Sequence, residues 1–480
     1  MDTQNTPIHI RIWSRHFWML VLANLLLGVS VFMLLPYIPA QMQADGYTLR
    51  DVGLVMLAFG LGIVIPGPYV SYFIERFRRN KVCLLSILLL VVFSAILYEA
   101  DVQKVFHIGF SGTLAVRVLQ GFCYGLTEMV VYSTLVLDTC ESLYRTEASH
   151  VLSWTGRCSL ALGPLAAMII SQVFGVSILP LASAGCALLS VILMYVIPFP
   201  FRAPNEVVRP WSLDRFFLPK STPLVVNTIL ITATFGLLLS LPLSLTFYAL
   251  MLPGFLLALL AEKYVFANAE LESEAITGLI VLFVGFLMLL TRNFDWVSPY
   301  VAVMAGFAFG LLGSRFLLFF IKLSQHCQRG TVQSSFFLSW ELGLWLGLYA
   351  GFGLLHRDLH SVVVCSIVLI GVALLVYHFL IHGWYVTHKN RKSRQKSSSK
   401  TTSDLLTSRC SATRSWVLRH SRSSKNSIST VSPRPRSTDA TSPLTSSDAT
   451  TSSSARRWRR CCATTKGTAR RRTSSVSRPI

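Results

Sequence analysis

The stretch Arg117-Val118-Leu119-Gln120-Gly121-Phe122-Cys123-Tyr124-Gly125 sits inside an otherwise apolar run, residues 109 to 138. A run of that length and composition is enough to cross the hydrocarbon core of a bilayer as a helix. On such a helix Arg117, Gln120, Gly121, Gly125 and Glu128 fall at i, i+3, i+4, i+8 and i+11, on or near one face. A polar stripe of this kind faces other protein or a water-filled cavity, because an ionised group turned to lipid is expensive. The segment therefore predicts a membrane helix that needs a bundle around it.

The rest of the chain supplies that bundle. Of 480 residues, 52% are hydrophobic and 14% charged. The mean hydropathy is +0.55. A water-soluble enzyme does not carry so much apolar surface. Apolar stretches near spanning length occur at 17 to 39, 51 to 73, 81 to 99, 109 to 138, 147 to 174, 177 to 198, 222 to 241, 244 to 266, 275 to 291, 297 to 321, 331 to 355 and 361 to 384. The first follows Arg11, Arg15 and His16 and could pass for a signal sequence, but its length and the lack of a small-residue cleavage site mark it as a retained helix. An all-α membrane protein with twelve transmembrane helices is expected.

Charge divides the chain in two. The formal net charge is +21, of which residues 389 to 480 carry +19, from 22 Lys+Arg against 3 Asp+Glu. That 92-residue tail also holds 38 Ser+Thr and too few apolar residues to offset the entropy of ordering, so it is expected to be disordered. Its contrast with the rest is what a functional extension or an out-of-frame one would each produce. Within residues 1 to 388 the basic residues gather on one side: Arg76, Arg78, Arg79 and Lys81, then Arg145, then Arg202, Arg209, Arg215 and Lys220, then Lys263, then Lys322 and Arg329. Arg50, Lys104, Arg292 and Arg357 fall on the other. The positive-inside rule then places both termini in the cytoplasm.

Residues 199 to 221 form the one long polar break, with four prolines, and divide the helices six and six. The expected organisation is a first bundle over 1 to 198, a cytoplasmic linker over 199 to 221, a second bundle over 222 to 388 and the tail over 389 to 480. A repeat supports the division: Arg145, Arg157 and Gly163 in the fifth helix match Arg329, Glu341 and Gly347 in the eleventh at a common offset of 184. The ten cysteines show neither a CxxC pair nor a His/Cys cluster, so no disulfide framework, metal or cofactor is expected.

Several motifs give the bundle a resemblance. Glu75-Arg76-Phe77-Arg78-Arg79-Asn80-Lys81 resembles the D-R-x-G-R-[RK] loop of the major facilitator superfamily. Glu75 stands for Asp, Arg76 matches, Arg79 and Lys81 supply the later basic positions, and Arg78 occupies the usual Gly. Such an ordered set of charges at a helix end can latch one conformation and release another, whereas sidedness alone needs no order among them. The stretch from Arg117 to Gly125 looks like the R-x-x-Q-G motif of the same superfamily. Gly156 and Gly163-Pro164 resemble the G-x(n)-G-P motif of its antiporters, with Ala166-Ala167 where two glycines usually follow. Small residues and a kink there allow close packing and bending. The resemblance covers residues 10 to 388 and leaves the subfamily open.

Two coupling candidates follow. Glu128 lies near the middle of its helix, where a carboxyl either takes up and releases protons or makes a static ion pair. Arg157 and Glu341 each lie roughly 14 to 18 Å along their helices, close to the midplane. They could form a direct pair, a pair bridged by substrate, or a purely structural one. Arg315 is expected to contact carbonyls or to snorkel.

What the resemblance implies is a secondary transporter that rocks two bundles about a central site in a cell (inner) membrane. The first, fourth, seventh and tenth helices would line the path, with Asn24, Glu128, Asn227, Thr228 and Thr232 as polar contacts beside Arg117 and Gln120. Uniport, symport and antiport stay open; proton-coupled export of a small organic solute by a monomer is the favoured expectation, and proton symport into the cell the alternative. No phosphate-cradling G-x-x-x-x-G-K-[ST] and no hydrolase motif is present, which disfavours an ATP-driven pump or an enzyme. The basic tail would bind phosphate only nonspecifically, and anionic lipid would satisfy the same charges, as in a membrane-anchored protein without transport.

Overall fold

In a computed structural model of the chain, the described residues are 14–101, 109–140, 144–201, 208–266, 271–291, 294–325 and 328–388. The expected disordered tail, 389 to 480, lies outside them. Eleven described helices are long and apolar enough to cross a membrane. They are α1 (Arg15–Ala44), α2 (Leu49–Arg76), α3 (Arg79–Glu99), α4 (Gly109–Thr139), α5 (Arg145–Phe174), α6 (Val176–Val196), α7 (Pro219–Ser240), α8 (Leu245–Val265), α9 (Glu272–Thr291), α10 (Trp296–Leu323) and α12 (Leu359–His388). Between the last two runs α11, Arg329–Tyr349 continued as a wider turn over Ala350–Leu354. Gln333, Ser334, Ser335, Ser339 and Glu341 dilute its apolar character, and all five are buried, so its polarity faces protein.

The helices close into two bundles. In the first, α1 packs on α5 and α6, α2 on α4, and α3 on α4 and α6. In the second, α7 packs on α11 and α12, α8 on α10, and α9 on α10 and α12. The association is close because small residues let backbones approach. A Cβ on Gly121 or Gly125 would meet the α2 backbone at Phe59 or Ile63, and one on Gly163 would meet Phe32 and Met33 of α1. Serines tie α6 to α1: Ser183 donates to Ser30 O at 2.8 Å and Ser190 to Ala23 O at 2.7 Å.

The bundles meet most extensively through α2 with α11 and α5 with α8, and less so through α5 with α10 and α4 with α11. Twelve crossings return the chain to the face where it began; we call this the terminal face and its opposite the far face. On the far face α2 and α11 meet dry, with a Cβ on Gly53 blocked by the Gly353 backbone and one on Gly60 by Trp345. Toward the terminal face the joints are polar. Gln333 Nε2 donates to Ser149 Oγ at 2.6 Å, and His150 Nε2 lies 3.3 Å from Glu262 Oε1. Ser149 and Gln333 are themselves separated by the repeat offset of 184.

Candidate functional site

A small cavity lies between the two kinds of joint. Its polar lining comes from Tyr124, Glu128 and Tyr132 of α4, Ser153 and Arg157 of α5, and Trp340 and Glu341 of α11. Phe32, Phe309, Phe336, Phe337, Leu160 and Leu344 complete the wall. Tyr132 reaches it from a wide turn, Val131–Leu135, that interrupts α4 just after Glu128. Such turns shift the register of the face beyond them and recur at functional positions.

Glu128 is 2% exposed. With its amide turned to satisfy the carboxylate, Asn24 donates to both Glu128 oxygens at 3.1 Å. The same amide meets the Tyr132 hydroxyl. Gly156 makes this possible, since a Cβ there would press on both Tyr132 and Asn24. Asn24 therefore stands behind the cavity and holds Glu128.

Glu341 is held from the other bundle. Its Oε2 accepts from Trp345 Nε1 at 3.0 Å, one turn along α11. The Trp345 ring lies 4.5 Å from that of Phe59, so a residue of the second bundle is lodged in the first. Arg117 sits beyond it, its guanidinium 4.3 Å from the Phe59 ring and 5.7 Å from that of Trp345. Arg117 Nη1 donates to Gln120 Oε1 at 2.9 Å, and Gln120 Nε2 donates to Ser94 Oγ at 3.3 Å. Arg117 and Gln120 thus form a buried chain behind the site and do not line the cavity.

Arg157 and Glu341 line the same cavity, yet among the described residues no ion pair joins them. The guanidinium turns instead to α10, where Nη2 donates to Ser314 Oγ at 3.4 Å and the Trp340 ring lies 5.5 Å away. The equal depth of the two residues was legible from helix rise; the turn toward α10 was not, because it depends on the bare backbone at Gly313, where a Cβ would overlap the guanidinium.

The expected contacts from the seventh helix differ. Asn227, Thr228 and Thr232 are buried and none lines the cavity. Thr228 and Thr232 donate to the carbonyls of Leu224 and Thr228, at 2.8 and 2.9 Å. Asn227 has neither amide atom hydrogen-bonded. The reason is packing: Gly236 of α7 and Gly343 and Gly347 of α11 bring these two helices into backbone contact, and α11 takes the place at the cavity. Arg315 also departs from expectation, pairing with Glu274 and lying 3.7 Å from Glu262.

The basic loop is partly assembled. Arg79 Nη1 lies 2.6 Å from Asp138 Oδ2 at the end of α4, and its Nη2 donates to Pro200 O at 3.1 Å. Glu75 lies 3.7 Å from Arg215, and Arg78 covers the Phe201 ring at 4.6 Å. Arg76 and Lys81 are exposed. Residues 212 to 218 form a strap between the bundles: Ser212 N donates to Pro68 O at 3.0 Å, Arg215 N to Thr331 Oγ1 at 2.9 Å, and Leu218 N to Ser335 Oγ at 2.9 Å. Thr331 in turn donates to Asp214 Oδ1 at 2.9 Å. Arg215 takes a positive φ of 59° at the bend. The strap, Asp138 and the aromatic wall were missed from sequence; four aromatics in α10 and α11 carry no pattern that separates a cavity wall from a lipid face.

Residues 20–348 match the family described as the Major Facilitator Superfamily. The chain belongs to this superfamily. Among solved structures it is similar to the human organic anion transporter MFSD10 (TETRAN), with 16% identity and a TM-score of 0.59, covering 76% of this chain and 99% of that one. It is also similar to a mutant of the nucleoside transporter NupG, with 12% identity and a TM-score of 0.55, covering 78% of this chain and 100% of that one. At these identities the likeness is one of fold. No curated protein matches the chain. The superfamily fold of two six-helix bundles, its multi-pass membrane character and a transporter's role are thereby in place.

Proposed function

We propose that this transporter carries a small organic solute through the cavity between its bundles by alternating access, coupled to protons and in the direction of export. It acts as a monomer in the cell (inner) membrane with both termini cytoplasmic, the orientation favoured by its loop charges. The observation that carries the reading is the placing of two buried carboxyls, Glu128 and Glu341, in one cavity with each held by a donor, Asn24 or Trp345. A desolvated carboxyl whose neighbours move with the bundles changes its proton affinity as they move, which is what coupling requires. The direction rests on the α1–α5 contact at Gly156 and Gly163-Pro164, where the antiporter-like motif falls.

The loop charges and the strap would gate the terminal face. Glu75, Arg79 and Arg215 hold it closed, and Arg76 and Lys81 are free to meet lipid headgroups. The test is flux in proteoliposomes under an imposed pH gradient, with an internal pH dye and a panel of organic acids, amines and nucleosides. Solute-dependent proton movement is expected for the unaltered chain and its loss for Glu128→Gln, with solute exchange retained. Glu128→Gln transport with ordinary pH dependence would rule out Glu128 as the coupling group.

A further inference from the structure

We infer that the cavity is built for a small organic anion, a carboxylate or sulfonate on a flat apolar body, held by the Arg157 guanidinium. This rests on the reading of the cavity as the transport site and adds the class of solute. The inference comes from which polar groups already have hydrogen-bond partners. Each carboxylate in the cavity has a donor from the protein: Asn24 gives both Glu128 oxygens a hydrogen bond at 3.1 Å, and Trp345 gives one to Glu341 at 3.0 Å. The cation does not have the reciprocal arrangement. Arg157 is 95% buried by its 5% exposure, and its Nε and Nη1 have no hydrogen-bond partner. Its one hydrogen bond is the 3.4 Å contact from Nη2 to Ser314.

No described carboxylate forms an ion pair with Arg157. Glu262 is the carboxylate whose field reaches it, and Glu262 is already committed to His150 at 3.3 Å and Arg315 at 3.7 Å. The Trp340 ring at 5.5 Å offers the charge a π face, which stabilises a cation but accepts nothing from N–H groups directed elsewhere. A buried guanidinium with open donors is costly, and an oxyanion is a ligand that answers both the charge and an open donor. A purely static role for Arg157 in this conformation would leave those donors unanswered.

The body of the solute follows from the wall around that charge. Trp340 stands beside Arg157, Phe309 packs on Trp340 at 4.6 Å, and Phe337, three residues before Trp340 on α11, packs on Tyr124 and Tyr132 of α4 at 6.0 and 5.7 Å. Flat aromatic faces on both bundles favour a planar apolar group that each can touch. An organic cation would use the same rings but would meet Arg157 as a like charge.

The test uses three probes of one shape, 2-naphthoate, 2-naphthylmethanol and 2-naphthylmethylammonium, titrated calorimetrically into the purified full chain at neutral pH. The expected result is 2-naphthoate binding at least tenfold more tightly than the ammonium, with the alcohol between. Arg157→Gln should erase that order. Gly313→Ala, which displaces the guanidinium without removing its charge, should weaken the anion severalfold and leave the alcohol unchanged; it decides the matter if the Arg157 variant does not fold. Equal or tighter binding of the ammonium, an order that survives both substitutions, or no binding of any probe would overturn the inference. Calorimetry needs no gradient, so a failure of proton coupling with anion preference intact would sink the coupling reading alone.

Discussion

The two joints between the bundles hold the same partners together by different chemistry. Far from the termini, α2 and α11 meet through Gly53, Gly353, Gly60 and the Trp345 ring, with no ion pair between them among the described residues. Near the termini, the joint is made of Gln333 with Ser149, His150 with Glu262, and the strap of Asp214 and Arg215 on Thr331. Opening the first exposes apolar surface and loses close packing, with nothing for water to repay. Opening the second exchanges protein hydrogen bonds for hydrogen bonds to water, at a net cost of only about 0.5–1.5 kcal/mol each. A transporter that must open one face and then the other can set its resting state by the balance between these two.

The largest effect is expected beneath the polar joint, where Arg79 anchors Asp138 and the Pro200 carbonyl. Arg79→Ala removes one partner of a buried pair, a change that typically costs about 3–5 kcal/mol. Thermal unfolding should show a marked fall, with Arg79→Lys between it and the unaltered chain. Next comes the dry joint. Gly53→Leu cannot be fitted against the Gly353 backbone, and overpacking costs about 1–3 kcal/mol. Solute flux should drop more than tenfold while the polar joint stays formed, as read by protection of the strap amides from hydrogen exchange.

Thr331→Val sharpens the contrast from the other side. It removes a hydroxyl that accepts from Arg215 N and donates to Asp214, and about 1–3 kcal/mol is the usual penalty for leaving such a buried group unmet. The strap is only part-buried, so the lower end is expected, with faster exchange at Arg215 and flux altered less than threefold. The smallest effect belongs to His150→Gln. The pair with Glu262 is partly exposed, and pairs of that kind contribute about 0–1 kcal/mol. A melting temperature changed by more than Gly53→Leu changes it would break the ranking of the dry joint over the polar one.

The sequence carried the architecture because membrane helices announce themselves through long apolar runs, and the run at 109 to 138 already showed a polar face that needed partners. It carried depth as well: Glu128, Arg157 and Glu341 fell at one level by counting residues, and all three line the cavity. What counting cannot give is the direction in which a side chain turns within its level. Arg157 turns to α10 because Gly313 is bare, and Asn24 reaches Glu128 because Gly156 leaves room. Asn227, Thr228 and Thr232 misled for a related reason. Hydroxyls in a membrane helix read alike whether they face a cavity or bond their own backbone, as Thr228 and Thr232 do. The weak apolar signal of α11 is the inverse case, where polarity marks the helix nearest the site.

The central claim is that these unlike joints open in alternation around one cavity. The direct measurement is a pair of spin-label distances in liposomes, one between Asp45 and His356 across the far face and one between Glu147 and Lys263 across the terminal face. On addition of 2-naphthoate, or on a change of pH, the account predicts that one distance lengthens as the other shortens. Two distances that move together, or that never move under either condition, would contradict it.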